Sequence, residues 1–351
     1  MERREFITTS VLGAMTVSFN TIPNFLKSAG MGVVVHSYAS RWNSKADSKK
    51  YPGFRDALDL IEHCARINAG GVQVGVNNWS LDFAKKVRDR REKLELYLEG
   101  SITLPKKPED VSSFETEVIN AKEAGAKVLR TVCLNGRRYE TFHSLEAFEE
   151  FKKNSIASLQ LAEPIVRKHQ MKLAIENHKD WRADELAGIV KQLSSEWIGV
   201  TVDFGNSIAL IEDPMEVVKT LAPYVFSTHV KDMAVDEYED GFLLSEVPLG
   251  EGIVDLSSLV GMCQKQNPDV NFSLEMITRD PLEIPCLTES YWATFDNIPA
   301  TELARTMQMV KKNVSQSLPR VSQLSAEGRL EAEEKNVLAC LQYSSEKLNL
   351  K

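Results

Sequence analysis

The sequence predicts an α/β protein whose main domain is a closed (β/α)8 barrel, or TIM barrel. Between Met31 and Val314, short apolar runs alternate with amphipathic helical segments eight times. Strands that alternate with helices pair in parallel, and eight such units favour a closed barrel. The 351 residues are enough for one barrel of about 250 residues with additions. A doubly wound open sheet is the main alternative, but the glycine-rich GxGxxG turn expected after its first strand is absent.

The first four strands are predicted from apolar runs that helical segments separate. The runs are Val33–Val35, Val72–Val74, Leu94–Leu98 and Val128–Val132. The helices between them follow from apolar residues at helical spacing, and they are Asp56–Ile67, Ser80–Lys93 and Val111–Ala124. Gly125 directly follows the last of these helices, which is typical of a helix C-terminus.

The last four strands are predicted at Leu173–Ile175, Ile198–Val202, Val225–Thr228 and Val270–Leu274. Their near-continuous apolar character is typical of parallel strands buried on both faces. The helices of this half are predicted at Leu145–His169, Asp184–Leu193, Pro214–Leu221, Leu256–Gln266 and Ala300–Val314. The segment Met233–Asp255 carries three glycines and a proline, so we predict that it forms a long active-site loop.

The two ends of the chain are predicted to lie outside the barrel, which we expect to span residues 31–315. Residues 1–30 contain Arg3 and Arg4, then an apolar stretch that reaches Phe19, and resemble a twin-arginine export signal. This resemblance predicts a periplasmic or otherwise exported protein, while an ordinary amphipathic helix would leave the protein cytoplasmic. Residues 316–351 contain the amphipathic segment Leu324–Leu350 and are predicted to form a C-terminal helical extension.

Composition excludes several classes of function. A net charge of −8 and a pI near 5.5 argue against non-specific nucleic-acid binding, which needs a basic surface. No apolar stretch reaches the ~18 residues of a membrane span, so no stable membrane anchor is expected. The five cysteines are scattered and lack a CxxC pair, which argues against a zinc-thiolate site or a disulfide framework.

Each of the last four predicted strands ends at a residue that can bind a metal ion. These residues, called the quartet below, are Glu176, Asp203, His229 and Glu275. Their separations of 27, 26 and 46 residues match one β/α repeat, a second repeat, and a repeat lengthened by Met233–Asp255. Because adjacent strands lie ~4.8 Å apart, four neighbouring strand ends can converge on one ion. Three carboxylates and an imidazole suit Mn²⁺, Mg²⁺, Co²⁺ or Zn²⁺.

The residues around the quartet resemble a known family, the xylose isomerase-like TIM barrels of the sugar phosphate isomerase/epimerase group. The resemblance covers roughly Val33 to Val314, and its motifs are Ile175-Glu176-Asn177, Val202-Asp203-Phe204-Gly205-Asn206, Thr228-His229-Val230-Lys231-Asp232 and Leu274-Glu275. It implies one divalent metal ion bound by the quartet and a chelated hydroxy-ketone substrate. The chain departs from the family at Asn206, where a histidine is frequent, and at Lys231, the nearest cation to the position where epimerases carry an arginine.

The predicted function is that of a metal-dependent isomerase or epimerase acting on a sugar or keto-sugar. A metal ion that holds the oxygens of a hydroxy-ketone stabilises the enediolate formed when the neighbouring proton leaves. Glu176 and Glu275 on opposite faces of the enediolate would remove the proton and return it. Loss of a β-oxygen substituent would instead make the enzyme a lyase or dehydratase, for example on 3-keto-glycosides. A non-catalytic sugar-binding barrel is a further alternative, whereas a three-zinc endonuclease needs more than the six histidines present.

Six further residues are candidates for substrate binding, and they are His36, Arg130, His178, Asn206, Lys231 and Arg279. His178 and Lys231 each lie two residues after a quartet member, so in an extended chain they point to the same side. Structural ion pairs are the alternative role for the arginines and for Lys231. The expected partner is a small carbohydrate, and family analogy allows a homo-oligomer.

Overall fold

The computed structural model describes residues 30–42, 48–315 and 317–350. The predicted export signal, up to residue 29, therefore lies outside the described residues. Eight parallel strands close into a barrel in the order β1-β10-β7-β6-β5-β4-β3-β2. The barrel strands are β1 Gly32–Val34, β2 Gly71–Gly75, β3 Tyr97–Ser101, β4 Val128–Thr131, β5 Lys172–Glu176, β6 Ile198–Asp203, β7 Val225–Val230 and β10 Asn271–Leu274. The predicted (β/α)8 barrel is confirmed.

A ring of helices surrounds the barrel, and the main core lies between the two layers. The helices are α1 Ala39–Trp42, α2 Ala57–Arg66, α3 Leu81–Lys93, α4 Val111–Glu123, α5 Arg138–Thr141, α6 Leu145–His169, α7 Ala183–Leu193, α8 Pro214–Leu221, α9 Leu256–Gln266, α10 Glu289–Trp292, α11 Ala300–Lys312 and α12 Ala326–Lys347. Side-chain caps fix several helix starts; the Ser144 hydroxyl, for example, accepts a hydrogen bond from the backbone N–H of Ala147 at 3.2 Å. Within the described ranges, no helix has the length and apolar character needed to cross a membrane.

Two predicted elements differ from the structure. The segment Met233–Asp255 was expected to be a loop, but most of it forms the antiparallel hairpin of β8 Asp232–Tyr238 and β9 Gly241–Val247. A third strand, β11 Leu282–Ile284, pairs with β9 and completes a small separate sheet. The third barrel strand begins at Tyr97 rather than Leu94, because Leu94 terminates α3 and its amide bonds back to the Arg90 carbonyl at 3.2 Å.

The C-terminal extension forms the predicted helix, α12, and this helix packs against the segment that follows β1. The carboxylate of Glu333 accepts hydrogen bonds from the backbone N–H groups of Ser40 at 2.6 Å and Arg41 at 3.1 Å. The Arg41 guanidinium, itself buried, pairs with Glu334 at 2.7 Å. These contacts attach the extension to the segment that follows β1 at the carboxyl end of the barrel, the same segment that carries His36.

Candidate metal centre and active site

The quartet converges at the carboxyl end of the barrel, as the strand-end pattern predicts. One ligand atom from each of its four members lies within 4.8 Å of all the others, and all four residues are buried. Strand register explains this convergence, because Asp203 is the direct neighbour of His229 across the β6–β7 ladder. The backbone N–H of Glu275, one residue past β10, bonds to the Val230 carbonyl at 3.0 Å and aligns that side chain with its neighbours.

The imidazole of His229 directs one of its nitrogens, Nδ1, toward the three carboxylates. Its Nε2 lies 2.7 Å from the Gln73 Oε1, an acceptor, so Nε2 carries a proton. The other nitrogen, Nδ1, is buried and has no hydrogen-bond partner. It lies 3.4 Å from the Glu176 Oε2, 3.6 Å from the Glu275 Oε1 and 3.8 Å from the Asp203 Oδ2. A divalent cation would displace a proton from Nδ1 and bind its lone pair together with the three carboxylates, so this buried cluster could bind a metal ion.

Charge at the quartet also favours a cation. Burial of His229 disfavours its charged form, yet the carboxylates of Glu176 and Glu275 raise the pKa of the imidazole to about 10. Burial opposes ionisation of Glu176, but the Arg130 guanidinium and His229 hold its pKa well below the usual value. Glu176 and Glu275 therefore stay ionised, whereas burial raises the pKa of Asp203 against the opposing charge of Lys231. The raised pKa of His229 shows that the quartet stabilises positive charge at its centre.

A buried polar network inside the barrel orients His229. The Gln73 amide that accepts from His229 donates from its Nε2 to the Glu99 Oε2 at 3.0 Å, which fixes the orientation of the amide. Glu99 also accepts from the Ser227 hydroxyl at 2.6 Å and from the Asn271 Nδ2 at 3.0 Å. Sequence reasoning missed Gln73 and Glu99 as site residues. The available signal was a glutamine and a glutamate in the middle of two short strands, GVQVG and YLEGS.

Asp203 is aimed by its neighbours in a similar way. Its Oδ1 accepts from the backbone N–H groups of Gly205 at 2.9 Å and Asn206 at 2.7 Å, which directs Oδ2 toward the other ligand atoms. The Asn177 side chain accepts from the Asp203 N–H at 2.7 Å and donates to its carbonyl at 3.0 Å. The turn after β6 therefore holds Asp203 in one orientation.

Four of the six predicted substrate-binding residues contact the quartet directly. The Arg130 Nε donates to the Glu176 Oε2 at 2.6 Å, and the Asn206 Nδ2 donates to the Glu176 Oε1 at 3.0 Å. The Lys231 Nζ lies 2.8 Å from the Asp203 Oδ2 and also contacts Glu275. The half-exposed His36 places its Nδ1 3.2 Å from the Glu275 Oε1. Three of these four side chains are buried beside the quartet, and His36 is the exposed one.

The other two candidates make no hydrogen bond to the quartet. His178 is partly buried, its Nδ1 has no partner, and burial lowers the pKa of the imidazole to about 3, which keeps it neutral. The Arg279 guanidinium pairs with Glu246 on β9, with its Nε 3.1 Å from the Glu246 Oε2. The structure thus places an ion pair at Arg279, and a substrate role for these two residues stays a prediction.

A cavity of about 1280 Å³ is lined in part by His36 and Arg130, the two side chains that contact Glu275 and Glu176 of the quartet. Its other walls come from the ends of β2–β4 and from α6. Uncharged polar and aromatic side chains contribute much of the lining, among them Trp42, Asn77, Ser101, Phe142, Phe151 and Asn154. Amide and hydroxyl groups beside aromatic faces suit a ligand rich in hydroxyl groups.

The family of the chain follows from comparison with known proteins. A sequence model of the family described as xylose isomerase-like TIM barrel matches residues 94–311, which is more than half of the chain. The chain belongs to the xylose isomerase-like TIM barrel family. A curated relative in this family is the 3-oxo-isoapionate decarboxylase of Pectobacterium atrosepticum, which is 23% identical over 270 residues, covering 75% of this chain and 92% of the relative.

Solved structures of this fold include sugar epimerases. A D-psicose 3-epimerase of Clostridium cellulolyticum is 10% identical with a TM-score of 0.55, covering 81% of this chain and 97% of the epimerase. A 3-keto-D-glucoside 4-epimerase of E. coli is 10% identical with a TM-score of 0.52, covering 81% of this chain and 99% of that enzyme. At these identities the similarity shows the fold alone. Epimerases and a decarboxylase thus share the barrel with this chain.

Proposed function

We propose that the protein is a divalent-metal-dependent enzyme that removes a proton next to the carbonyl of a sugar or keto-sugar, acting as an isomerase or epimerase. The observation that carries the proposal is the His229 Nδ1, which has no hydrogen-bond partner and faces three carboxylates at 3.4–3.8 Å. An unpaired buried nitrogen and clustered carboxylates both cost stability, and a bound metal ion would offset that cost.

The quartet would hold the metal ion. When bound, such an ion supplies positive charge that stabilises negative charge on the carbonyl oxygen of the substrate. The family and its sugar-epimerase relatives support a carbohydrate substrate, and the cavity beside the quartet offers the hydrogen-bonding groups to bind one.

The protein's own side chains would carry the proton. Glu176 and Glu275 stand on strands that β6 and β7 separate, so a substrate between them presents one face to each carboxylate. One carboxylate removes the proton and the other returns it to the opposite face, which inverts the carbon centre. Arg130 holds Glu176 at 2.6 Å, and His36 lies 3.2 Å from Glu275 at the edge of the cavity. These two side chains would position the carboxylates and contact substrate oxygens.

A lyase acting on 3-keto-glycosides is the second candidate, and the size of the cavity favours it. Small-ligand sites usually enclose about 300–1,000 Å³, whereas this cavity measures about 1280 Å³. It has room for a group attached to the sugar that bears the ketone. The same proton removal would then be followed by departure of the β-oxygen substituent instead of reprotonation.

Solvent deuterium exchange tests the proposal. Mn²⁺-loaded protein is incubated in D₂O with free ketoses and with 3-keto-glycosides, and NMR follows the carbon next to the carbonyl. Deuterium incorporation that Glu275→Gln abolishes is the expected result. A new stereoisomer would then identify an epimerase, and a released aglycone would identify a lyase. Absence of exchange with every substrate, despite bound Mn²⁺, would contradict proton abstraction.

A further inference from the structure

Lys179 is a buried cation that no carboxylate neutralises. The residue lies three positions after Glu176 and is only 4% exposed. Its ammonium group donates to the side-chain oxygen of Asn206, and it forms no ion pair in the part of the chain that the structure describes. Burying a charge without an oppositely charged partner lowers stability, so such a group is retained at a cost. Other buried cations of the site, such as Arg130 and Lys231, each contact a carboxylate.

Two further cations lie beside Lys179. The Lys231 ammonium is 3.3 Å from the same Asn206 Oδ1, so two buried ammonium groups converge on one amide oxygen. The charge of Arg279 also acts on Lys179, and the Arg279 guanidinium pairs with the buried carboxylate of Glu246. We call Lys179, Lys231 and Arg279 the cationic cluster. Burial and then the charges of Lys231 and Arg279 lower the pKa of Lys179 to about 8, consistent with an ammonium that lacks a counter-ion.

Ion pairing within the cationic cluster leaves one positive charge without a partner. The Lys231 ammonium pairs with the carboxylates of Asp203 and Glu275, and the Arg279 guanidinium pairs with the carboxylate of Glu246. The Lys179 ammonium contacts an amide oxygen instead, and among the described residues it has no carboxylate partner. One negative charge would therefore complete the pairing of the cluster.

We propose that the cationic cluster binds a carboxylate group of the substrate, so that the enzyme acts on a keto sugar acid rather than on a neutral sugar. The inference rests on the proposed function, because it assumes a substrate held at the quartet. The anionic oxygen would take the place of the Asn206 side-chain oxygen between the two ammonium groups. A carboxylate matches the single missing charge, whereas a phosphate dianion would exceed it.

Binding measurements with matched ligands test this proposal. The probes are D-fructose, D-fructuronate and 2-keto-D-gluconate; the two acids replace one terminal CH₂OH of D-fructose with a carboxylate. Isothermal titration calorimetry with Mn²⁺-loaded protein is expected to show that at least one acid binds about 10- to 100-fold more tightly than D-fructose, the effect of one charged hydrogen bond. Equal affinity for all three, or no measurable binding of either acid, would overturn the proposal.

Variants at Lys179 assign any preference to this cluster. Lys179→Gln is expected to abolish the preference for the acid, while Lys179→Arg is expected to retain part of it. Lys219→Gln removes a charge from an exposed position on α8 and serves as the matched control, with no change expected. A preference that survives Lys179→Gln would overturn the proposal.

Thermal unfolding separates a binding role from a structural one. Because the charge of Lys179 is buried without a counter-ion, Lys179→Met is expected to raise the unfolding temperature while weakening acid binding. A lower unfolding temperature would mark Lys179 as a structural residue and contradict the proposal. Calorimetry measures binding without turnover, so it tests the anion site separately from the proposed reaction. If the protein binds the acid more tightly but shows no deuterium exchange, the anion site is supported and the enediolate mechanism is refuted.

Discussion

The two halves of the barrel mouth differ in how they use polar side chains. At the ends of β5, β6, β7 and β10, ionisable side chains are buried and contact one another within 4.8 Å. At the ends of β1–β4, mostly uncharged side chains surround a cavity of about 1280 Å³. Arg130 and His36 belong to the second half by position, yet both reach across to quartet carboxylates. In the proposed function, the charged half would carry the chemistry and the open half would hold the substrate, with Arg130 and His36 connecting the two.

Loss of a quartet carboxylate should have the largest effect. Asp203→Asn keeps the shape of the side chain but removes one of the charges that would hold the ion, so Mn²⁺ affinity should fall by more than about 100-fold, beyond the effect of outer residues. Equilibrium dialysis with metal analysis measures this. Asp269→Asn, at an exposed position before β10, is the matched control and should leave the affinity unchanged. Equal affinity in both variants would show that the charged half does not hold the metal.

Disrupting the network behind His229 should have an intermediate effect. Gln73→Leu removes the acceptor that holds the Nε2–H of His229. The imidazole is then no longer held with Nδ1 directed at the carboxylates. Mn²⁺ affinity should fall by about 10- to 100-fold, the usual effect of losing an outer hydrogen bond to a ligand. The same dialysis experiment measures it. An unchanged affinity would show that the orientation of His229 does not depend on this network.

A change in the open half should affect the substrate but leave the metal alone. Asn154 lines the cavity from an exposed position on α6, so Asn154→Trp fills space without touching the quartet. We expect the KM for a 3-keto-glycoside to rise by about 10-fold, which is the effect of losing one polar contact between the protein and the substrate. Steady-state kinetics and dialysis measure both quantities. A lower Mn²⁺ affinity in this variant would break the distinction between the two halves.

The pH dependence of acid binding should show the smallest effect. Lys179 must be charged to bind a carboxylate, and burial together with Lys231 and Arg279 lowers its pKa to about 8, against the opposing charges of Glu246 and Asp203. Affinity for the keto acid should therefore fall as the pH rises through about 8, with about a twofold loss at that pH. Calorimetry between neutral and alkaline pH measures this. D-fructose provides the control, and an equal loss for both ligands would assign the titration to another group.

The charged half was the part that the sequence predicted best. Each quartet residue directly follows an apolar run, and the spacing of one β/α repeat places successive strand ends side by side. Gln73 and Lys179 were missed for different reasons. Gln73 lies inside a strand, where only the closed barrel shows that it faces His229. Lys179 lies in a run of polar residues after β5, and no pattern reveals that its ammonium is buried.

The hairpin of β8 and β9 was mistaken for a loop because glycine and proline were given too much weight. Gly241 begins β9 directly after the two-residue turn of Glu239 and Asp240, with a φ of 155°, and Pro248 and Gly250 lie beyond β9. The apolar run Phe242–Leu244, which lies between Gly241 and Pro248, is the pattern that indicates a strand. Glu246 near the end of β9 lies on this hairpin, so the error also hid the partner of Arg279.

Mn²⁺ electron paramagnetic resonance on protein with ¹⁵N-labelled histidine tests the central claim most directly, because it reports both stoichiometry and ligand type. The predicted result is one tightly bound Mn²⁺ per chain with coupling to a single histidine nitrogen, and His229→Ala should remove that coupling. Binding without a histidine coupling, or coupling that persists in His229→Ala, would place the ion elsewhere and contradict the assignment of the quartet as the metal centre.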